Sequence, residues 1–107
     1  MPHAVLRVAN MVGIIVRDFY LSFPGDVNRR IMAMISSVGL RPQVSAGNHI
    51  KFEDYDQGME LHTLLNWIES TGWNLVQMSE TAVSQYSSFA TYVFKKQTIL
   101  QQHHGKG

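Results

Sequence analysis

The sequence predicts a single α+β domain in which two amphipathic helices pack on one face of an antiparallel sheet. Three observations lead to this prediction. Segments rich in β-branched and aromatic residues open and close the chain. Between them lie two apolar stripes at helical spacing, each followed by a glycine. At 107 residues, the chain has the usual length of one domain with one core.

The N-terminal segment from Ala4 to Phe23 is predicted to form strands. Its sequence, AVLRVANMVGIIVRDFYLSF, is too rich in β-branched residues for a helix. The segment forms either one long strand or two short strands that are separated by a break near Asn10–Gly13. Pro24–Gly25–Asp26 then predicts a turn into the first helix, with Asp26 as the N-cap residue.

The first helix, from Asp26 to Val38, is predicted from one apolar stripe. Its members recur at helical spacing and are Val27, Ile31, Met34, Ile35 and Val38. Gly39 is the expected left-handed residue that ends the helix. After it, a Gly47–Asn48 turn predicts a short hairpin between segments 40–45 and 49–53, with Pro42 on a sheet edge.

A second helix and two closing strands are predicted in the C-terminal half. The helix has an apolar stripe formed by Leu61, Leu64, Leu65 and Ile68. Gly72 ends it, and Trp73 is expected to pack on Ile68. Residues 73–78 and 89–95 are expected strands joined by a polar loop over 80–88. The domain is assigned to residues 1–96, and residues 97–107 form a polar tail that we expect to be disordered.

A faint internal repeat gives the expected layout. The segments that begin at Ile35 and Ile68 align at an offset of 33 residues, and each ends in a glycine and a large apolar residue. Two strand–helix–strand units in tandem predict a ferredoxin-like βαββαβ sheet with both helices on one face. The alternative is that any two capped amphipathic helices look this similar.

Catalytic and metal-binding motifs are missing from the sequence. The five histidines are His3, His49, His62, His103 and His104, and they match no zinc-binding pattern. The chain has no cysteine, which excludes disulfides, thiolate zinc sites and a cysteine nucleophile. The acidic residues before the second helix are Glu53, Asp54, Asp56 and Glu60. They lack the EF-hand pattern and suit the positive end of a helix. We therefore expect no catalytic residue, no metal and no cofactor.

Charge and hydropathy favour neither a nucleic acid nor a membrane as partner. The formal net charge is +1, and no apolar run reaches the length of a membrane span. The last strand has a trace of an aromatic RNA-binding motif, but Thr91 stands where an aromatic residue is needed. Phe89, Tyr92 and Phe94 fit core packing better, so RNA binding is the less favoured function. The expected compartment is the cytoplasm, with the nucleus as the alternative.

Motifs in the second half resemble a known family. The strand His49–Phe52 precedes the helix LHTLLNWIESTG, which runs into Gly-Trp-Asn-Leu-Val, and a later strand reads SFATYVFKK. This pattern is similar to the C-terminal domain of the KCTD (potassium-channel-tetramerisation-domain-like) family. That domain is itself similar to the GTP cyclohydrolase I feedback regulatory protein. The pattern departs from that family in having no BTB domain ahead of this segment, so a role as a ubiquitin-ligase adaptor is not what we expect.

The resemblance implies a non-enzymatic protein-interaction module that forms homo-oligomeric rings, typically pentamers, and binds a further protein. The residues point the same way, because charge is scarce and the closing strands have apolar residues on both faces. We expect Val76, Met78, Tyr92 and Phe94 to form the interaction patch. The alternative is a regulatory subunit that controls an enzyme in response to a small ligand, as the feedback regulatory protein implies.

Overall fold

The computed structural model describes residues 3–54, 57–84 and 87–97. These residues form two helices and seven strands of one sheet. The helices are α1 (Gly25–Ser37) and α2 (Leu61–Ser70). The strands are β1 (His3–Val12), β2 (Ile15–Ser22), β3 (Pro42–Ser45), β4 (His49–Phe52), β5 (Met59–Glu60), β6 (Trp73–Ser84) and β7 (Ser87–Lys96).

The sheet confirms the predicted α+β class and is more elaborate than a βαββαβ layout. Its strand order is β3-β4-β2-β1-β7-β6, and β5 pairs with β2 beyond the end of β4. All the pairings are antiparallel. A hairpin before α1 and a second hairpin after α2 provide strands that four-stranded βαββαβ domains lack. Strands β2 and β1 thereby occupy the centre of the sheet, and β3 and β6 lie at its edges.

The N-terminal segment forms two strands, as its break predicts. The turn between them contains Gly13, which has a positive φ of 62°. Along β1 the side chains alternate, so that Ala4, Leu6 and Val8 are buried while Arg7 is exposed. This period of two places one face of the strand against the helices and the other away from them.

Helix α1 begins one residue earlier than predicted, and Asp26 is not its N-cap. Pro24 holds the N-cap position, and its carbonyl oxygen accepts hydrogen bonds from the N–H groups of Val27 and Asn28, both at 3.0 Å. The prediction was wrong because Asp26 lies one residue inside the helix. In the first turn its carboxylate favours the positive end of the helix without a capping hydrogen bond.

The predicted stripe of α1 is buried in its first part and leaves the core at its end. Val27, Ile31 and Ile35 are buried, whereas Val38 is exposed at the C-cap. Gly39 follows with a φ of 89°, which confirms the predicted left-handed termination.

The short hairpin at the edge of the sheet is confirmed. Strands β3 and β4 pair in register from Pro42 with Phe52 to Ser45 with His49. A single 3-10 turn, Ala46–Asn48, joins them. Pro42 lies on the edge strand β3, as expected from its missing N–H.

Helix α2 buries Leu64 and Ile68 completely, and Leu61 and Leu65 only partly. Its end is set by Gly72, whose φ of 97° confirms the predicted left-handed conformation.

Trp73 follows Gly72 into the core. It is 2% exposed and belongs to the same buried cluster as Ile68. The edge of its ring packs against Phe23, with centroids 5.4 Å apart, and Phe23 also contacts Phe94 at 5.5 Å. This aromatic cluster joins the end of β2 to the start of β6 and the end of β7.

The polar loop expected over residues 80–88 is absent, and the prediction was wrong. Strand β6 extends to Ser84 and β7 begins at Ser87, where those two residues pair. Serine, threonine and glutamine suit a strand when one of its faces is in water, so polarity alone does not indicate a loop. The residues of the predicted tail from 98 onward lie outside the described residues.

Among the glycines that the structure describes, Gly58 is the one at which the backbone of another strand approaches closely. A Cβ atom there would lie 2.6 Å from the carbonyl oxygen of Val16 and 2.6 Å from a methyl carbon of Ile15. Only glycine fits at this distance, so Gly58 allows β5 to pair with β2 just before α2 begins.

Replacing Gly72 with valine is expected to destabilise the domain by more than about 1 kcal/mol, because a β-branched residue does not easily adopt a positive φ. Urea denaturation gives the free energy of unfolding. Gly25→Ala is the matched control, since Gly25 starts α1 and an added Cβ there meets only a side-chain atom of Arg29 at 3.5 Å. Equal stability of Gly72→Val and the parent would contradict the prediction.

Leu64→Ala is expected to cost about 2–5 kcal/mol of unfolding free energy, the usual range for a fully buried leucine. Leu65→Ala on the same helix is expected to cost clearly less, because Leu65 is only partly buried. The pair is compared by thermal and urea denaturation. A larger loss for Leu65 than for Leu64 would show that α2 presents a different face to the sheet.

Candidate interaction surfaces

The structure separates the four residues of the predicted interaction patch. Val76 and Met78 are 53% and 59% exposed on β6, whereas Tyr92 and Phe94 are 1% and 0% exposed in the core. The single four-residue patch is therefore corrected. Tyr92 and Phe94 pair with the buried residues of β1, so their side chains face the helices. A role for Val76 and Met78 in binding stays a prediction.

Strand β6 forms one free edge of the sheet. It pairs with β7 on one side, and the strand order places no described strand on its other side. Its twelve residues contain one charged side chain, Glu80, and no lysine, arginine or proline. Two register irregularities, at Val76 and beside Ala82, bound a regular stretch from Gln77 to Ala82. Such a stretch has the usual length of a paired strand and lacks most of the features that blunt natural edges.

Strand β3 forms the opposite edge and is better protected. It is four residues long and contains Pro42, both of which limit pairing with another chain. Val44 in its middle is 56% exposed. Val44 pairs with the buried Ile50, and Met78 pairs with the buried Tyr92. The two edges therefore present apolar side chains on the same side of the sheet, the side that carries the helices.

The helix-free face of the sheet is mostly polar, contrary to the expectation of a second apolar face. One row of paired residues crosses six strands and consists of Ser45, His49, Tyr20, Arg7, Thr91 and Ser79. The expectation was wrong because the large apolar residues of β7 point to the helices. Valines and Phe89 supply the apolar part of this face.

Three neighbouring side chains of this row are stacked. The guanidinium carbon of Arg7 lies 4.1 Å from the centroid of the Tyr20 ring. The Tyr20 ring is nearly parallel to the His49 ring, at 9° and 4.2 Å between centroids. His49 Nε2 is in turn 3.0 Å from Asp18 Oδ1, which fixes the orientation of the imidazole. Together with Asp18, the stacked side chains form a preorganised assembly of a cation, two rings and a carboxylate.

Sequence reasoning missed this stacked row. The usable signal was alternation: Arg7 stands between the buried Leu6 and Val8, and Asp18 and Tyr20 flank the buried Phe19. Polar side chains at alternate positions of a core strand predict a polar outer face. Their contact with His49 depends on the pairing of β2 with β4, which the sequence did not reveal.

Among the side chains that the structure describes, Tyr92 has a pKa that departs clearly from its ordinary value. Burial, the nearby negative charge of Glu80 and the hydrogen bond to it raise the pKa of Tyr92 to about 12. The phenol donates this bond to Glu80 Oε1 at 3.5 Å, the outer limit of hydrogen-bond distance. The phenol is neutral at physiological pH, so its role there is structural.

A cavity of about 450 Å³ lies between the β1–β2 turn, the start of α2 and β6. Met11, Ile14, Leu61 and Leu65 supply its apolar wall, and the remaining lining residues are Gly13, Glu60, His62 and Glu80. Its size falls in the range of small-molecule sites.

Metal and membrane signatures are not found in the part of the chain that the structure describes. Its histidine and carboxylate side chains form no group of three or more that could hold a metal ion. Neither α1 nor α2 is long and apolar enough to cross a membrane.

Comparisons with known proteins bear on the fold. No family model matches the chain, and no curated protein matches it. A solved structure of a conserved kinetoplastid-specific protein from Trypanosoma cruzi is similar, with a TM-score of 0.60 over 91% of this chain and 97% of that one. At 14% identity, this likeness shows the fold alone. The KCTD-like resemblance stays a prediction.

The stability of the domain is expected to fall between pH 10 and pH 12 because of Tyr92. A raised pKa in the folded state favours the neutral phenol, so its contribution is complete below the unfolded pKa of about 10 and is lost as the pH rises through about 12. The loss amounts to at most about 3 kcal/mol. Denaturation curves of the parent and Tyr92→Phe across this range test it. A constant difference between them at every pH would contradict the prediction.

Proposed function

We propose that this protein is a non-enzymatic interaction module that self-associates through the open edges of its sheet, in the manner implied by its KCTD-like motifs. The observation that carries the proposal is the edge of β6. A regular, nearly uncharged stretch of six residues offers unpaired backbone groups to another strand. Pairing by β-strand addition satisfies those groups and needs no rearrangement of the core.

Two arrangements are compatible with this edge. Pairing of β6 with β6 of a second copy gives a two-fold dimer. Pairing of β6 with β3 of the next copy is head-to-tail and gives a ring when the rotation between copies closes, as in the pentamer that the KCTD-like motifs imply. The ring is the arrangement we propose, although β3 is short and contains Pro42, because Met78 and Val44 expose apolar side chains on the same side of the sheet at its two opposite edges. Joining these edges buries both side chains together.

A second candidate function is regulation of an enzyme by a small ligand, as in the feedback regulatory protein that the sequence resembles. The cavity at the start of α2 favours it, since an apolar wall there is combined with the carboxylates of Glu60 and Glu80. Such a site suits an apolar ligand with a positive charge. A thermal-shift screen of small amines and amino acids tests this function independently of self-association.

The ferredoxin-like description of the fold and a cytoplasmic location are part of the same proposal. The unit β2-α1-β3-β4, with β4 beside β2, supports the first in its N-terminal half. The lack of cysteine throughout the chain is compatible with the second.

Met78→Lys is expected to abolish self-association, because a lysine on an edge strand opposes pairing with another strand. Light scattering coupled to size-exclusion chromatography, from low to high micromolar protein, gives the mass. The parent is expected at a multiple of the 12.1 kDa chain mass, and Met78→Lys at 12.1 kDa. Val38→Lys is the matched control, because Val38 is also 59% exposed but lies at the end of α1.

Val44→Lys on β3 distinguishes the two arrangements. Loss of assembly in both Val44→Lys and Met78→Lys supports the head-to-tail ring, and loss in Met78→Lys alone supports a β6–β6 dimer and overturns the ring. A parent that elutes at 12.1 kDa at every concentration overturns self-association itself. Circular dichroism confirms that each variant keeps the fold.

A further inference from the structure

On the helix-free face the strand cations outnumber the carboxylates, which the net charge of the whole chain does not indicate. Outside the two-residue strand β5, the strands have two carboxylates. Glu80 pairs with the buried Ala90 and points to the helix side, and Asp18 lies on the helix-free face. Alternation with buried residues places three strand cations on that face. Arg7 and Lys51 each lie between two buried neighbours, and Lys95 follows the buried Phe94.

Asp18, the one carboxylate that the strands other than β5 place on this face, is already engaged. Asp18 Oδ1 lies 3.0 Å from His49 Nε2, and Asp18 pairs across the strands with Lys51. With the histidines neutral, these four strand residues together carry a net charge of about +2. A polyanion is the partner that such a surface attracts most strongly.

Flat stacking groups accompany the cations. Arg7 is held over the Tyr20 ring on one face of its guanidinium plane, and its other face is free to stack, because Arg7 is exposed. Phe89 pairs with Thr81, lies on the same face of the sheet as Thr91, and is 43% exposed. Arg7 and Phe89 therefore lie on neighbouring rows of adjacent strands, with stacking surfaces open to solvent.

We propose that the helix-free face binds single-stranded nucleic acid, with its phosphates along the three cations and its bases on Arg7 and Phe89. Single strands are bound by this combination of a positive surface with planar groups on which any base can stack. The stacking groups favour a nucleic acid over an acidic peptide, which has no planar bases to place on them. This function is independent of the sheet edges and therefore of self-association.

The residues of this surface differ from those that the sequence comparison with RNA-binding motifs considered. Tyr92 and Phe94 lie in the core, so the aromatic pattern of β7 contributes only Phe89. Arg7 and Tyr20 come instead from β1 and β2, which the motif does not include. The low net charge of the chain also gave no indication of this positive surface, because acidic residues elsewhere in the chain offset its cations.

Fluorescence anisotropy with labelled single-stranded oligonucleotides, a uridine 12-mer and a thymidine 12-mer, tests the proposal. Three phosphate contacts predict that the logarithm of the binding constant falls with the logarithm of salt concentration with a slope of about −2. Arg7→Gln is expected to weaken binding and to reduce that slope by about 0.7. Phe89→Ala is expected to weaken binding about 5- to 150-fold, the range for loss of one stacking aromatic residue.

Arg30→Gln is the matched control, since Arg30 is an exposed arginine on α1 and its loss changes the net charge equally. Unchanged binding by this variant supports the proposal. Equal weakening by Arg30→Gln and Arg7→Gln overturns it, as does the absence of binding to both oligonucleotides at low salt. Displacement of the oligonucleotide by poly-glutamate as effectively as by unlabelled RNA also overturns it. Lys95→Gln replaces Arg7→Gln if the latter does not fold.

Discussion

The pairing of β1 with β7 is the constraint on which the rest of the structure depends. It sets Leu6 opposite Tyr92 and Ala4 opposite Phe94, and all four side chains are buried beneath the helices. A slip of β7 by one residue would move Tyr92 and Phe94 to the opposite face. The register therefore determines which residues of the closing strands are core and which are surface. Among the described strands, β6 pairs only with β7, so its other edge is free.

The local elements follow closely from the sequence, and their assembly does not. Gly72 and Gly39 end helices as predicted, because a glycine after an apolar stripe has one favourable backbone conformation. The face presented by β7 depends instead on which strand pairs with it. SFATYVFKK has apolar residues at both parities, so periodicity leaves open whether Tyr92 or Val93 is buried. Only the register with β1 decides that Tyr92 lies inside.

The same difficulty explains why the stacked row was missed. Arg7, Tyr20 and His49 are separated along the chain, and their contact needs the pairing of β2 with both β1 and β4. Sequence patterns reveal that each side chain points outward, but not which outward side chains are neighbours. In the β6–β7 hairpin the error was different. Its polar residues were predicted to form a loop, although most of them belong to strands. Polar residues indicate exposure to water, and an edge strand is exposed to water for much of its length. An edge strand can therefore be as polar as a loop.

Edge pairing and the helix-free face are linked by geometry, although they use different groups. A strand added to β6 lies in the plane of the sheet, so each added copy extends the helix-free face without covering it. One copy provides about two net positive charges, which is few for a polyanion. The proposed ring would repeat that surface, and a nucleic-acid strand bound to one copy would then meet the next at a high effective concentration. Binding by a single chain does not need the ring, but the ring would raise the affinity above that of one chain.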